Sequence, residues 1–238
     1  MGWGIVGDRK DWYSSIWYAK PQLILIERSK IGILKNIHNQ REFNQTVVRQ
    51  REFDTEEVLS IVMNLFWQRG YANTSMKDIV QATGIQPGSL YAAFGDKEKL
   101  FQQSFKKYTQ EFFRASMPRH CSPLECIQKW FEYLAKAMIN DSKQKGCLII
   151  NTAIERESHS PSTIAFIEDR LDEIESFFRQ NLAQAMQNGD LPKSFDLEVN
   201  AKALLGLVVG MLAVARIRRD AQTLNGIAAG ATTLLQMN

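Results

Sequence analysis

A chain of 238 residues with 45% hydrophobic and 23% charged side chains has the make-up of a globular protein with a full core, which excludes a disordered or fibrous one. Its net charge of +3 and pI of about 8.7 are too mild to establish a polyanionic partner, because only clustered charge makes an electrostatic footprint. Three cysteines, Cys121, Cys126 and Cys147, are too few, and odd in number, for a disulfide framework. They lead to the expectation of a reducing, cytoplasmic location.

Residues 1–46 differ from the rest. Three of the five tryptophans (Trp3, Trp12, Trp17) lie here, with short apolar runs at Leu23–Ile26 and Ile31–Leu34 but no sustained helical period. The stretch holds seven Lys/Arg against four acids, a surplus equal to the net charge of the chain. It reads as an N-terminal extension: a basic arm, or non-native sequence ahead of a translation start at Val47 or Val48. Asp8, Arg9, Lys10 and Asp11 break the span from Trp3 to Trp17, so it is no secretory signal.

From Asp54 onward the pattern is helical. Asp54 and Glu57 suit a capping box, and Val58, Ile61, Val62, Leu65 and Phe66 recur at helical spacing on one face until Gly70 ends the run. The stretch Ser75 to Phe94, SMKDIVQATGIQPGSLYAAF, then gives two short helices around a tight turn. Ser75 caps the first, whose inner side is Met76, Ile79 and Val80. Gly84 permits the turn, because it has no Cβ to oppose positive φ. Ile85 fills the angle, and Pro87 suits the first turn of the second helix. Leu90 and Phe94 turn inward, which leaves Gln86, Gly88, Ser89, Tyr91, Ala92 and Ala93 outward. This is a helix-turn-helix pattern.

The run from Phe53 to Phe101, and above all GSLYAAFGDKEKLF, resembles the N-terminal domain of TetR family transcriptional regulators. The resemblance implies an all-α fold: a three-helix DNA-binding domain (47–98) followed by a helical bundle for ligand binding and dimerisation (99–238). It implies that Gln86, Pro87, Gly88, Ser89 and Ala92 face the major groove or its edge, that Tyr91 and Lys97 meet phosphates, and that Thr74 and Ser75 present a helix N-terminus to a phosphate. With small Ala92 and Ala93 at the interface, shape and methyl contacts weigh more than base hydrogen bonds. The bland alternative is a helix-turn-helix used only for packing.

Further helices are expected at 97–114, 123–140, 146–157, 161–188, 196–219 and 221–236, punctuated by Pro118, Pro123, Pro161, Pro192 and the Asn188-Gly189-Asp190 turn. The aromatic and Met-rich segment from 115 to 190 is mostly core. A pocket there, with Trp130, Phe131, Met138 and Phe166 as candidate lining, would suit a lipophilic effector. Cys147, in KGCLIINTAIE beside Lys145, is expected near a helix N-terminus that lowers a thiol pKa. It resembles the GCL context of family members that sense electrophiles or oxidants; the alternative is an inert buried thiol. Cys121, Cys126 and His120 match no common zinc spacing, and no metal or cofactor is expected.

The most apolar run, Ala203–Ala215, falls short of the roughly 20 residues of a membrane span, so a buried helix is expected and no membrane partner. Gly206 and Gly210, with Gly226 and Gly230 on the last helix, permit close helix approach. Leu204, Leu207, Val208, Met211, Leu224, Ile227, Ala231 and Leu234 are the expected dimer seam, two helices from each subunit forming a four-helix bundle. His38, His120 and His159 are scattered and no phosphate loop or nucleophile elbow is present, so an enzyme is not expected. The reading is a ligand-responsive regulator, a repressor that leaves a palindromic operator on effector binding or modification of Cys147. Its partners are double-stranded operator DNA, a second copy and an unidentified small-molecule effector. The rival is a small-molecule or stress-sensing protein whose DNA domain is vestigial.

Overall fold

Residues 53–236 are described by the computed structural model; the expectations for residues 1–46 and for a start at Val47 or Val48 lie outside them. Nine α-helices of seven residues or more are described, besides a three-residue helical turn at Arg114–Ser116. The first is α1 (Thr55–Arg69), which ends at Gly70, whose φ is +82°. Its buried face is Val58, Leu59, Val62, Met63, Phe66 and Trp67, with Ile61 and Leu65 half-buried. The face is rotated from the expected one because α1 packs against α4 and α2 at once.

Helix α2 (Met76–Thr83) begins with a complete capping box between Ser75 and Asp78 and ends at left-handed Gly84. Gln86 is extended ahead of Pro87, which opens α3 (Pro87–Phe94). Asp96 caps α4 (Lys97–Tyr108), its side chain accepting from the Lys99 N–H. The helix goes on through one π-helical turn (Thr109–Phe113) and a last α-turn (Arg114–Ser116), a wide turn that nothing in the sequence signals.

The remaining helices are α5 (Pro123–Asn140), α6 (Leu148–Ile154), α7 (Pro161–Asn188), α8 (Leu197–Val214) and α9 (Ala221–Gln236). Prolines open α5 and α7, where a missing N–H costs nothing, and left-handed Gly189 closes α7. The expected helix over 146–157 divides into α6 and a 3₁₀ turn (Arg156–Ser158). The expected helix over 196–219 stops at Val214, and beyond it Arg216 and Arg219 donate to the carbonyls of Lys145 and Asp141, at 3.1 and 2.8 Å.

Helices α5, α7, α8 and α9 pack side by side as a bundle, with α6 against α7 and α8. Trp130, Phe131 and Phe178 fill its centre, with ring centroids 5.4 and 5.9 Å apart. Helix α8 has a mean hydropathy of 1.7 over 18 residues, so by length and composition alone it could cross a membrane, contrary to the shorter run counted from the sequence. Here its buried residues seal against α7 and α9.

The cysteines also depart from expectation. Cys121 and Cys126 are joined in a disulfide across the start of α5, so they are neither free thiols nor zinc ligands. Proximity in the folded loop, which residue counting does not show, brings them together.

Phe178 has no exposed surface. Truncating it to alanine is expected to cost about 3–5 kcal/mol, read as a lower midpoint in urea with an unchanged m-value.

Candidate nucleic-acid interface

Helix α3 is short, and what it buries decides what it offers. Leu90 is fully buried and Phe94 3% exposed, both seated on α2, whose own buried residue is Ile79. Gln86, Pro87, Gly88, Ser89 and Ala92 are all exposed, and Tyr91 is 50% exposed. An eight-residue helix presenting small and polar groups outward is able to enter a DNA groove.

Three flanking residues stand differently. Thr74 is fully buried, and its hydroxyl donates to the Gly70 carbonyl at 2.7 Å; its side chain ties off the end of α1. Ser75 is exposed, but its backbone N–H and hydroxyl both donate to the Asp78 carboxylate, and Asp78 pairs with Arg69 at 3.1 Å. Lys97 is half-buried with Nζ 4.0 Å from the centre of the Tyr71 ring, and burial lowers its pKa. Sequence reasoning passed over Lys77 and Lys99, exposed cations in the first turns of α2 and α4.

The helix-turn-helix is seated on the segment between α6 and α7. Glu155 accepts from the backbone N–H of Tyr71 at 2.9 Å and of Ala72 at 3.4 Å. A Cβ on Gly70 would lie 2.1 Å from Glu155 Oε1, so a side chain there would push the carboxylate off these N–H groups. In the first turn of α4, Glu98 accepts from the hydroxyls of Ser160 (2.7 Å) and Thr163. Burial pushes the Glu98 carboxyl up, but these hydrogen bonds outweigh it and hold its pKa below the ordinary value. The His159 ring lies 4.6 Å from the Tyr71 ring and 4.9 Å from that of Phe101. Both of its nitrogens are buried with no hydrogen-bond partner, and burial lowers its pKa.

Residues 59–103 match the profile of the bacterial regulatory proteins of the tetR family, and residues 123–230 match the tetracyclin repressor-like C-terminal domain. An HTH-type transcriptional regulator of Bacillus subtilis (strain 168), YezE, is 31% identical over 176 residues, covering 72% of this chain and 91% of its own. The transcriptional repressor ComR of Escherichia coli (strain K12) is 30% identical, covering 71% and 82%. The chain belongs to the TetR family. Among solved structures, a cysteine mutant of the TetR family regulator CifR, complexed with a 26-base-pair operator DNA, superposes with a TM-score of 0.69 at 27% identity, covering 78% of this chain and 98% of that one. This TetR-family chain is therefore an HTH-type, DNA-binding transcriptional regulator.

The cysteine singled out in this TetR-family chain has an unexpected environment. Cys147 is the N-cap of α6, as expected, but it is 6% exposed under Tyr108, whose hydroxyl donates to the sulfur at 3.5 Å. Burial raises its pKa, against the opposing pull of Tyr108 and of the Ile149 and Ile150 N–H groups. The Lys145 ammonium is turned away, 3.7 Å over the ring of Trp67. Trp67, on α1, donates its indole N–H to the Gly146 carbonyl at 2.9 Å and sets its ring edge-on to Tyr108. The sulfur thus lies one ring behind the DNA-binding domain.

Trp130, Phe131 and Met138 are sealed in the bundle. Trp130 donates to Ser116 Oγ at 3.1 Å, and half-buried Phe166 lies between Phe105 and the Arg170 guanidinium. They pack as core. A cleft of about 450 Å³ lies instead between α5 and α9, lined by polar Gln128, Glu132, Asn225, Thr232 and Thr233 among others.

Of the expected dimer seam, Leu204, Val208, Met211, Leu224 and Ala231 are buried within the subunit, while Leu207, Ile227 and Leu234 are half-buried. A helix apolar all round gives no sequence cue to which stripe the subunit itself takes. Gly206, Gly226, Ala229 and Gly230 are exposed on the same helices, and a Cβ at Gly206, Gly210, Gly226 or Gly230 would meet nothing within 4 Å.

Two measurements test the seat. A histidine with a lowered folded pKa lends stability that is present above its unfolded pKa, about 6.5, and lost as pH falls through that value. Unfolding free energy should decline below about pH 6.5, and less steeply in His159→Phe. Replacing Gly70 by alanine should lower the thermal midpoint more than Glu155→Gln does, since it adds a backbone penalty of about 1–2 kcal/mol to the loss of the carboxylate's contacts.

Proposed function

We propose that the protein is a homodimeric repressor that sets two copies of α3 into successive major grooves of a palindromic operator. It leaves the operator when a small molecule occupies the helical bundle or when Cys147 is modified. The observation that carries this reading is the division of α3 into Leu90 and Phe94 inside and Gln86, Pro87, Gly88, Ser89, Tyr91 and Ala92 outside. The operator-bound CifR structure and the repressor names of ComR and BdcR support it. Gln86, Ser89 and Ala92 read groove edges. The Tyr91 hydroxyl, Ser75, Lys97 and the exposed Lys77 and Lys99 meet phosphates. Thr74 braces the turn behind them.

Two-fold pairing uses the outer stripe of α8 and α9, from Gly206 and Gly210 to Gly226 and Gly230, with Leu207, Ile227 and Leu234 at its edges. It spaces the recognition helices about 34–36 Å apart, one turn of DNA.

An electrophoretic shift on the promoter of the adjacent gene, repeated across salt concentrations, decides between this reading and a sensor with a vestigial DNA domain. Retardation that weakens with salt supports the repressor; none at any salt supports the sensor. Tyr91→Phe should weaken binding about 10–100-fold irrespective of base sequence, as loss of one hydrogen bond to a charged phosphate does. Lys77→Ala should lower the salt slope by about one.

Gly206→Leu/Gly210→Leu, whose added Cβ atoms meet nothing within 4 Å in the subunit, should keep its helical circular dichroism yet sediment as a monomer. Cys147→Ser should bind operator as wild type does and resist release by N-ethylmaleimide; release at the wild-type rate removes Cys147 from the mechanism.

A further inference from the structure

We propose that Cys121 and Cys126 are a redox-active pair, a disulfide at the mouth of α5 that low-molecular-weight thiols open and hydroperoxides close. The bond joins residues at a sequence separation of 5, with Cα atoms 5.5 Å apart. A ring that short restrains few residues of the unfolded chain, and the surrounding bundle is already held by buried Ile127, Trp130, Phe131 and Phe178. The bridge is therefore free to open without loss of the core.

Its two sulfurs are unequally placed. Cys126 is 5% exposed on the inner side of α5, whereas Cys121 is half-buried in the loop before it. Exposed Arg119 precedes Cys121 by two residues, and Cys126 stands at the fourth position of an 18-residue helix. A helix N-terminus favours a thiolate, but burial opposes one at Cys126, so the half-buried Cys121 is the sulfur open to attack. Cys147, sealed beneath Tyr108, takes no part.

In the reductive direction an external thiolate attacks Cys121 Sγ. A mixed disulfide forms there, and the Cys126 thiolate leaves and takes up a proton. A second external thiol then releases Cys121 and departs as the oxidised dimer of that thiol. In the oxidative direction the Cys121 thiolate takes the terminal oxygen of a hydroperoxide, giving a sulfenic acid and an alcohol. The Cys126 thiol displaces the hydroxyl as water and closes the bond.

The loop links this chemistry to α4. It starts at Ser116, whose Oγ accepts from Trp130 and donates to the Phe113 carbonyl at 2.7 Å. It ends at Ser122, reciprocally capped with Glu125. Between them His120 sits at φ +61°, a left-handed conformation uncommon for a residue with a side chain. Opening the bond frees the middle of a loop fastened at Ser116 to the far end of the helix that begins at the DNA-binding domain. The consequence for DNA rests on the operator-binding reading above; the chemistry does not.

The test equilibrates the full-length protein in glutathione buffers of graded poise, alkylates it, and digests it with trypsin, which leaves both cysteines on the peptide His120 to Lys129. The expected result is one reversible two-electron transition in that peptide. Operator affinity should differ about five-fold or more between its ends, a difference retained in C147S and abolished in C121S/C126S, or in C121S alone if the double variant misfolds. A peptide that stays bridged or stays reduced across the range overturns the proposal. So does an operator affinity that does not move, or that moves as much in C121S/C126S. If neither redox form holds DNA, the operator reading falls and the mass titration still decides the chemistry.

Discussion

A buried indole N–H has to find an acceptor, and in this protein that requirement joins the two halves of the regulator. Trp67 belongs to α1, yet its donor ends on the carbonyl of Gly146 and its ring is capped by Lys145 and flanked by Tyr108 and Phe112. The loop that leads into α6 therefore cannot shift without disturbing α1. The Glu155 carboxylate does the same for the turn after α1, where the missing side chain of Gly70 makes room for it. A recognition helix that buries only Leu90 and Phe94 takes its orientation from these supports, because its own contacts are too few to set it.

Local signals made much of the fold legible. Pro123, Pro161, Gly84 and Gly189 act through their own backbone chemistry, and the helices they bound fall where those residues place them. The outer face of α3 was largely legible, because Leu90 and Phe94, four residues apart in a short helix, leave the other positions outside except for half-buried Ala93. Less was legible wherever a partner distant in sequence decides. Thr74 sits at a helix entrance, yet the Gly70 carbonyl claims its hydroxyl. Cys147 has the helix N-terminus that depresses a thiol pKa, but desolvation under Tyr108 overrides it. In α8 the apolar pattern runs all round, so nothing local separates the stripe bearing Leu204 and Val208 from the one bearing Gly206 and Gly210.

The surface that α3 would offer to DNA under the proposed reading has its own character. Beyond Gln86, Ser89 and the Tyr91 hydroxyl, the outer positions of α3 are Pro87, Gly88 and Ala92, which lack hydrogen-bonding side chains. Few bidentate base contacts are available to such a helix. Discrimination then leans on how closely the backbone approaches the groove and on the deformability of the sequence beneath it. That makes accurate placement of the helix worth more here than in a regulator with long arginines, and it gives the supports at Trp67 and Glu155 a bearing on specificity as well as stability.

The π-helical turn at Thr109–Phe113 has a bearing on ancestry. Such a turn accommodates one residue more than the α-helix it interrupts, and each residue of an α-helix advances the phase by about 100°. Ser116 reaches the Trp130 indole only with that extra residue in place. A relative whose corresponding helix is regular must therefore carry one residue fewer between Tyr108 and Ser116 to make the same pairing, and aligning the two without a gap there would match side chains that point in different directions.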